Sequence, residues 1–113
     1  MYPFAGILLL TGACFSLAGY ITKRFPPKKI NHLYGYRTKT SMRNQEVWDF
    51  AQRYSADEMI KLGLVMLVLA AGAWLAEIQF TGDIFVAIAL TVVFPLVMLF
   101  QIEIELKKRF PKD

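Results

Sequence analysis

Between Tyr34 and Ala56 the chain reads YGYRTKTSMRNQEVWDFAQRYSA, a polar and aromatic segment flanked by stretches made almost wholly of Leu, Ile, Val, Ala and Phe. The polar chemistry of the sequence is concentrated here. Arg37 carries a planar fork of donors suited to a phosphate or carboxylate, Asn44 offers both a donor and an acceptor, and Trp48 presents a ring with one N–H. Gly35 permits a tight turn or a close backbone approach. A structural role is the alternative: Arg37 and Asn44 can tie the segment to helix ends, satisfying carbonyls that a bilayer cannot. Trp48, Tyr34 and Tyr36 are residue types that anchor at membrane interfaces. No nucleophile paired with a base, phosphate loop or metal-ligand set accompanies them, and His32 stands without a Cys or a second His, so no catalytic residue, cofactor or metal site is expected.

The elements that position this segment follow from composition. A chain of 113 residues that is 56% hydrophobic and 19% charged is too apolar for an ordinary soluble domain. Phe4 to Thr22 and Ile84 to Ile102 are each uncharged over 19 positions, about 28 Å as helix against a hydrocarbon core of roughly 30 Å. Leu62 to Ala76 is shorter, bounded by Lys61 and Glu77. Met59 and Ile60 at one end and Ile78 and Phe80 at the other extend it, while Lys61 can snorkel to the headgroups. The expected fold is all-α: one polytopic membrane domain with spans over 4–22, 59–80 and 84–104, a connection over 23–58 and a tail over 105–113. No Lys or Arg precedes the first run, which argues against a signal peptide. Cys14, without a disulfide partner, reads as a buried bystander.

Charge gives an expected orientation. The connection from Lys23 to Glu58 holds eight Lys and Arg and the tail holds four, whereas Glu77 to Asp83 holds none and two acids. Basic loops stay cytoplasmic, so the N-terminus is expected outside and the C-terminus inside a bacterial inner membrane. Lys23-Arg24-Phe25-Pro26 recurs as Lys108-Arg109-Phe110-Pro111, shared punctuation where a helix exits: a basic pair, an interfacial Phe and a Pro that ends the helix. Position accounts for the basic residues, so nucleic acid is not an expected partner.

Gly12 with Ser16, and Gly72 with Ala76, are small-x-x-x-small pairs that allow close helix contact within the bundle or in a homo-oligomer. Pro95 should free the carbonyl of Thr91 inside the third span. From Ser41 to Ser55 the pattern is helical. Ser41 or Thr40 can cap it, Asn44, Trp48, Ala51 and Ser55 share a face, and Val47, Phe50 and Tyr54 form the adjoining apolar stripe. This predicts a short interfacial helix within the connection, with Arg43 and Arg53 available to phosphates. Asp57 with Lys61, Glu103 with Lys107 and Glu105 with Arg109 are acid-then-base pairs that support helix ends.

Gly35-Tyr36-Arg37-Thr38, then Ser41, Asn44, Glu46, Trp48, Ala51 and Ser55-Ala56, resemble the signature of the SdpI/YfhL family of small bacterial membrane proteins. That pattern runs G-[YF]-R-T, a Ser, an Asn and W-x-x-A. The three-span layout resembles the family's short form. Longer members include an immunity protein that protects its own cell from a secreted toxic peptide and relays a signal to a repressor. The resemblance implies resistance to a toxic peptide through binding at the cytoplasmic interface, with Gly35, Tyr36, Arg37, Thr38, Ser41, Asn44, Trp48 and Ser55 as the ligand-binding set. The expected partners are the lipid bilayer and a toxic peptide or lipid headgroup. Two rival classes are a membrane enzyme acting on a lipid or peptide headgroup and a regulatory subunit of a larger membrane complex.

Overall fold

The computed structural model describes residues 3–31, 33, 35–77 and 82–111. Three helices account for most of them: α1 (Pro3–Arg24), α2 (Gln45–Leu75) and α3 (Asp83–Arg109). Each is long and apolar enough to cross a membrane. Tyr34, His32, Ile78 and Phe80, named above, and Lys112, one of the four basic residues of the tail, lie outside the described residues.

α1 opens with Pro3 in its first turn and ends on Lys23 and Arg24, just before Pro26 and Pro27 prevent its continuation. Its small residues face α2. A Cβ on Gly12 would sit 2.9 Å from the Gly63 carbonyl oxygen, and one on Gly19 would sit 2.8 Å from that of Ala56. Ser16 lies between them, its Oγ 2.2 Å from where a Cβ on Gly63 would be. The Gly12 and Ser16 pair therefore packs within the bundle, the small size of both residues letting two backbones approach. Gly72 meets nothing within 4 Å. Cys14 is exposed, which corrects its reading as buried.

Among the described residues of the connection there is no separate interfacial helix. The segment expected to form one is the beginning of α2, which runs unbroken for 31 residues, about 46 Å at 1.5 Å per residue. Polarity changes near Lys61, but no Gly or Pro interrupts Gln45 to Leu62, so the backbone hydrogen-bond ladder passes through the change. The cap is Asn44, at φ −160° and ψ 175°, whose Oδ1 accepts from the Val47 N–H. Ser41 and Thr40 instead belong to a turn in which Met42 N–H donates to Thr38 O and Arg43 N–H to Thr40 O.

Ile102 and Leu106 of α3 are buried against Val47 and Ala51 of α2, with Met98 completing a cluster that Tyr36, Phe50, Tyr54 and Phe110 border. A second cluster, Leu8, Met66 and Ala70, joins α1 to α2 farther along the bundle. The face of Trp48, Ala51 and Ser55 is thus buried in protein. α3 continues as helix past Pro95. The end of α1, the start of α2 and the end of α3 meet at one end of the molecule, which gathers the connection and is called the basic end below.

Candidate functional site

Gly35 has φ +100°, and a Cβ there would fall 2.5 Å from Gln52 Oε1 and 2.6 Å from Pro27 Cγ. Both the left-handed backbone and the close approach require glycine. The approach lets the Gln52 amide bind the neighbouring peptide at two points. Tyr36 N–H donates to Gln52 Oε1 at 2.7 Å, and Gln52 Nε2 donates to Tyr36 O at 2.7 Å. Gln52 is 2% exposed, so this pairing satisfies an amide that would be costly to bury alone.

Tyr36 also reaches α3, where its hydroxyl donates to Glu103 Oε1 at 2.7 Å. The side chains of Thr38 and Thr40 stand beside the same carboxylate. Burial, and then the Glu103 carboxylate, push the Tyr36 phenol far above its ordinary range. It therefore remains a proton donor at any physiological pH.

Ser41 is fully buried. Its Oγ accepts from Thr38 N–H at 2.8 Å and lies 3.1 Å from both the Tyr36 and the Thr38 carbonyl oxygens, while its own N–H donates to Thr38 Oγ1. This exchange uses the hydroxyl that could have capped α2, which explains why the cap falls to Asn44.

Trp48 is 0% exposed and its Nε1 donates to the Pro27 carbonyl at 2.7 Å. It holds the chain leaving α1 against α2, which corrects the expectation of an interfacial anchor. Ser55 is also buried, its Oγ donating to Gln52 O within the helix. Tyr36 is half-buried and hydrogen-bonded at both its backbone and its phenol, so it too serves as a tie.

The sequence-derived set consequently divides in two. Gly35, Tyr36, Thr38, Ser41, Trp48 and Ser55 form or border a latch that closes the connection onto α2 and α3. Arg37 and Asn44 are exposed. Sequence reasoning missed Gln52, Glu103 and the Pro27 carbonyl. Gln52 could have been found from its spacing: Trp48, Gln52 and Ser55 stand at i, i+4 and i+7, one helical face.

The expected acid-then-base pairs are only partly made. Glu105 lies 3.8 Å from Arg109, but Lys61 pairs with Glu58 at 3.5 Å, and Asp57 bonds Lys23 of α1 at 2.9 Å. The two Lys-Arg-Phe-Pro stretches also differ. Phe25 is exposed, whereas the Phe110 ring meets Phe50 edge-on at 5.6 Å, and Arg109 lies 4.6 Å above that same Phe50 ring. The second is packed into the bundle, while Arg24 stands 5.9 Å from the ring of the exposed Phe25.

Among the described residues no group of three His, Cys, Asp or Glu is placed to hold a metal ion. The latch can position a surface and hold protons in place.

Comparison with known proteins agrees with the motif. The Bacillus subtilis (strain 168) protein named Uncharacterized protein YfhL is 52% identical over 58 residues, which make up 51% of this chain and 53% of that relative. The matched stretch thus spans about half the relative's length. No solved structure matches. The sequence profile of the SdpI/YfhL protein family matches residues 28–100, a range that holds the latch residues of the connection and of α2: the chain belongs to the SdpI/YfhL protein family.

Proposed function

We propose that this chain is a non-catalytic resistance protein of the bacterial cytoplasmic membrane, with its N-terminus outside and its C-terminus inside. It protects the cell by binding a toxic peptide at the inner interface through Arg37 and Asn44. The carrying observation is that Arg37 and Asn44 are the exposed members of a motif whose Gly35, Tyr36, Thr38, Ser41, Trp48 and Ser55 are buried or part-buried in the latch. A rigid backbone beneath a donor fork and an amide is a binding platform, because little ordering remains to be done when the ligand arrives. Asn44 turns its oxygen to the Val47 N–H, which orients its NH₂ as a donor for peptide carbonyls or a terminal carboxylate. The Arg37 guanidinium supplies the planar, bidentate partner.

The test uses variants that keep the structural role and remove the recognition role. Arg37→Lys keeps the charge and loses the fork, and Asn44→Ser keeps a good cap and loses the amide donor. Cells that express the chain and are challenged with membrane-active toxic peptides should survive better than cells without it. Both variants should lose at least tenfold of that protection at unchanged membrane level and thermal stability. Absence of protection by the parent chain overturns the resistance reading. Folded protein falling as far as protection would make both residues struts.

A further inference from the structure

Beside the latch lies a second feature that the motif does not include. Lys39, Thr40 and Arg43 of the connection converge with Lys107 and Phe110 at the end of α3 around a cavity of about 640 Å³. That volume falls in the range, about 300–1000 Å³, of pockets that hold whole small molecules. Among the described residues three cations line it and no carboxylate does. The nearby acid of α3, Glu103, accepts from the Tyr36 phenol and stands beside Thr40 and Lys107, so it offsets part of the charge of Lys107 and leaves Lys39 and Arg43 as the cations it does not face.

General charge asymmetry does not account for this arrangement. A cation in the last turn of a helix is favoured by the helix dipole, which explains Lys107 but not Lys39 or Arg43, contributed more than sixty residues earlier. Arg43 is also held in place, because its Nη2 donates to the Phe110 carbonyl oxygen at 2.5 Å. The Phe110 ring rests on Phe50, so one wall is apolar and fixed while the cations stand around it.

Depth identifies the ligand. The uncharged run of α3 ends at Ile102, and Lys107 lies five residues farther, about 7.5 Å along the helix. The headgroup layer adds roughly 5–8 Å on each side of the hydrocarbon core, so an α3 that crosses with its uncharged run in the hydrocarbon brings Lys107 to the level of the lipid phosphates. We propose that the cavity formed by Lys39, Thr40, Arg43, Lys107 and Phe110 binds the phosphate headgroup of an anionic phospholipid from the leaflet at the basic end, with Phe110 against its glycerol and upper chain. The site is independent of the peptide platform at Arg37 and Asn44.

The purified full chain in nonionic detergent micelles, where no membrane surface potential acts, is titrated with dioctanoyl phosphatidylglycerol, dioctanoyl phosphatidylcholine and inorganic phosphate, with binding followed by native mass spectrometry and thermal shift. Phosphatidylglycerol should bind at least tenfold more tightly than either of the others. Lys39→Gln/Lys107→Gln should weaken it about 25-fold, near fivefold per cation. Lys28→Gln/Lys29→Gln, with the same change in charge outside the cavity, should weaken it less than about threefold. Equal losses in the two double variants would reduce the effect to diffuse charge and overturn the site. Inorganic phosphate binding as tightly as phosphatidylglycerol would make the ligand a free anion and overturn the lipid assignment. Phosphatidylcholine binding as tightly would do the same for the anionic requirement, and these comparisons among ligands need no variant to fold.

Discussion

The Tyr36 hydroxyl donates to the Glu103 carboxylate at 2.7 Å, and through that bond the motif of the connection is fastened to the last turns of the third helix. A phenol bonded to a carboxylate is among the stronger neutral-to-charged contacts, contributing about 1.5–3 kcal/mol. Tyr36→Phe should lower the melting temperature of the purified chain by several degrees without altering its helix content by circular dichroism. An unchanged melting temperature would show that the bond adds nothing.

The same pair predicts a pH dependence of definite sign. The folded chain holds the Tyr36 phenol above its ordinary value near 10. Its contribution is therefore fully present below about pH 10 and is lost as pH rises toward the folded value. The gap in melting temperature between the parent chain and Tyr36→Phe should be constant from about pH 7 to 9 and shrink above about 10. A gap that widens in alkali contradicts the assignment.

Gln52 makes an exacting test of the latch because its amide is used in both directions. Gln52→Glu keeps an acceptor for the Tyr36 N–H but turns a second oxygen toward the Tyr36 carbonyl, in a position only 2% exposed. A buried polar group facing its own kind costs about 1–3 kcal/mol, more if charged. Protease cleavage within residues 28–44 should accelerate in this variant while the spans stay protected. Parent-like cleavage would count against a closed connection.

The crossing of α1 and α2 separates glycines that fit from those that merely occur. Gly63→Ala would place a Cβ 2.5 Å from the Ser16 backbone nitrogen and should cost about 3 kcal/mol or more. Gly72→Ala meets nothing and should be neutral or gain up to about 1 kcal/mol of helix propensity. Among the described residues Ser16 Oγ is buried without a hydrogen-bond partner, so Ser16→Ala should stabilise by about 1 kcal/mol. Thermal unfolding in one detergent ranks all three. Equal losses at Gly63 and Gly72 would refute the packing account.

Orientation is open to a direct measurement. Twelve Lys and Arg fall on the connection and tail against none between Glu77 and Asp83, so a reporter active only outside the cytoplasm should be silent when fused after the C-terminus. An active reporter there would reverse the topology.

The spans were legible because exclusion of charge over some twenty positions is a property of the residues alone. The start of α2 was legible as helix but not as part of a span, since the change from polar to apolar at Lys61 looks like a boundary although the backbone has no break there. Ser41 and Asn44 are both good caps. Which one serves depended on where the Ser41 hydroxyl was drawn, a matter of the turn at Thr38. Trp48 has the composition of an interfacial anchor, and only the proximity of the Pro27 carbonyl reveals that it is buried. Glu103 was read with Lys107 one turn away, because local spacing carries no trace of a partner 67 residues distant.

That separation has a consequence for biosynthesis. At about 5–20 residues per second, Glu103 is made roughly 3–13 s after Tyr36, and Ile102 and Leu106, which floor the latch, are made alongside it. The connection thus emerges into a cell before its tie to α3 exists. During this interval the hairpin of α1 and α2 can already close through Gly12, Gly19 and Gly63. Gln52 and Trp48 can already tie the connection to α2, and Ser41 can close the turn within it, while the Tyr36 hydroxyl still lacks Glu103. Newly made chains therefore pass through a half-latched stage, and a chaperone or protease that acts on this protein has its opening there, before the third helix arrives.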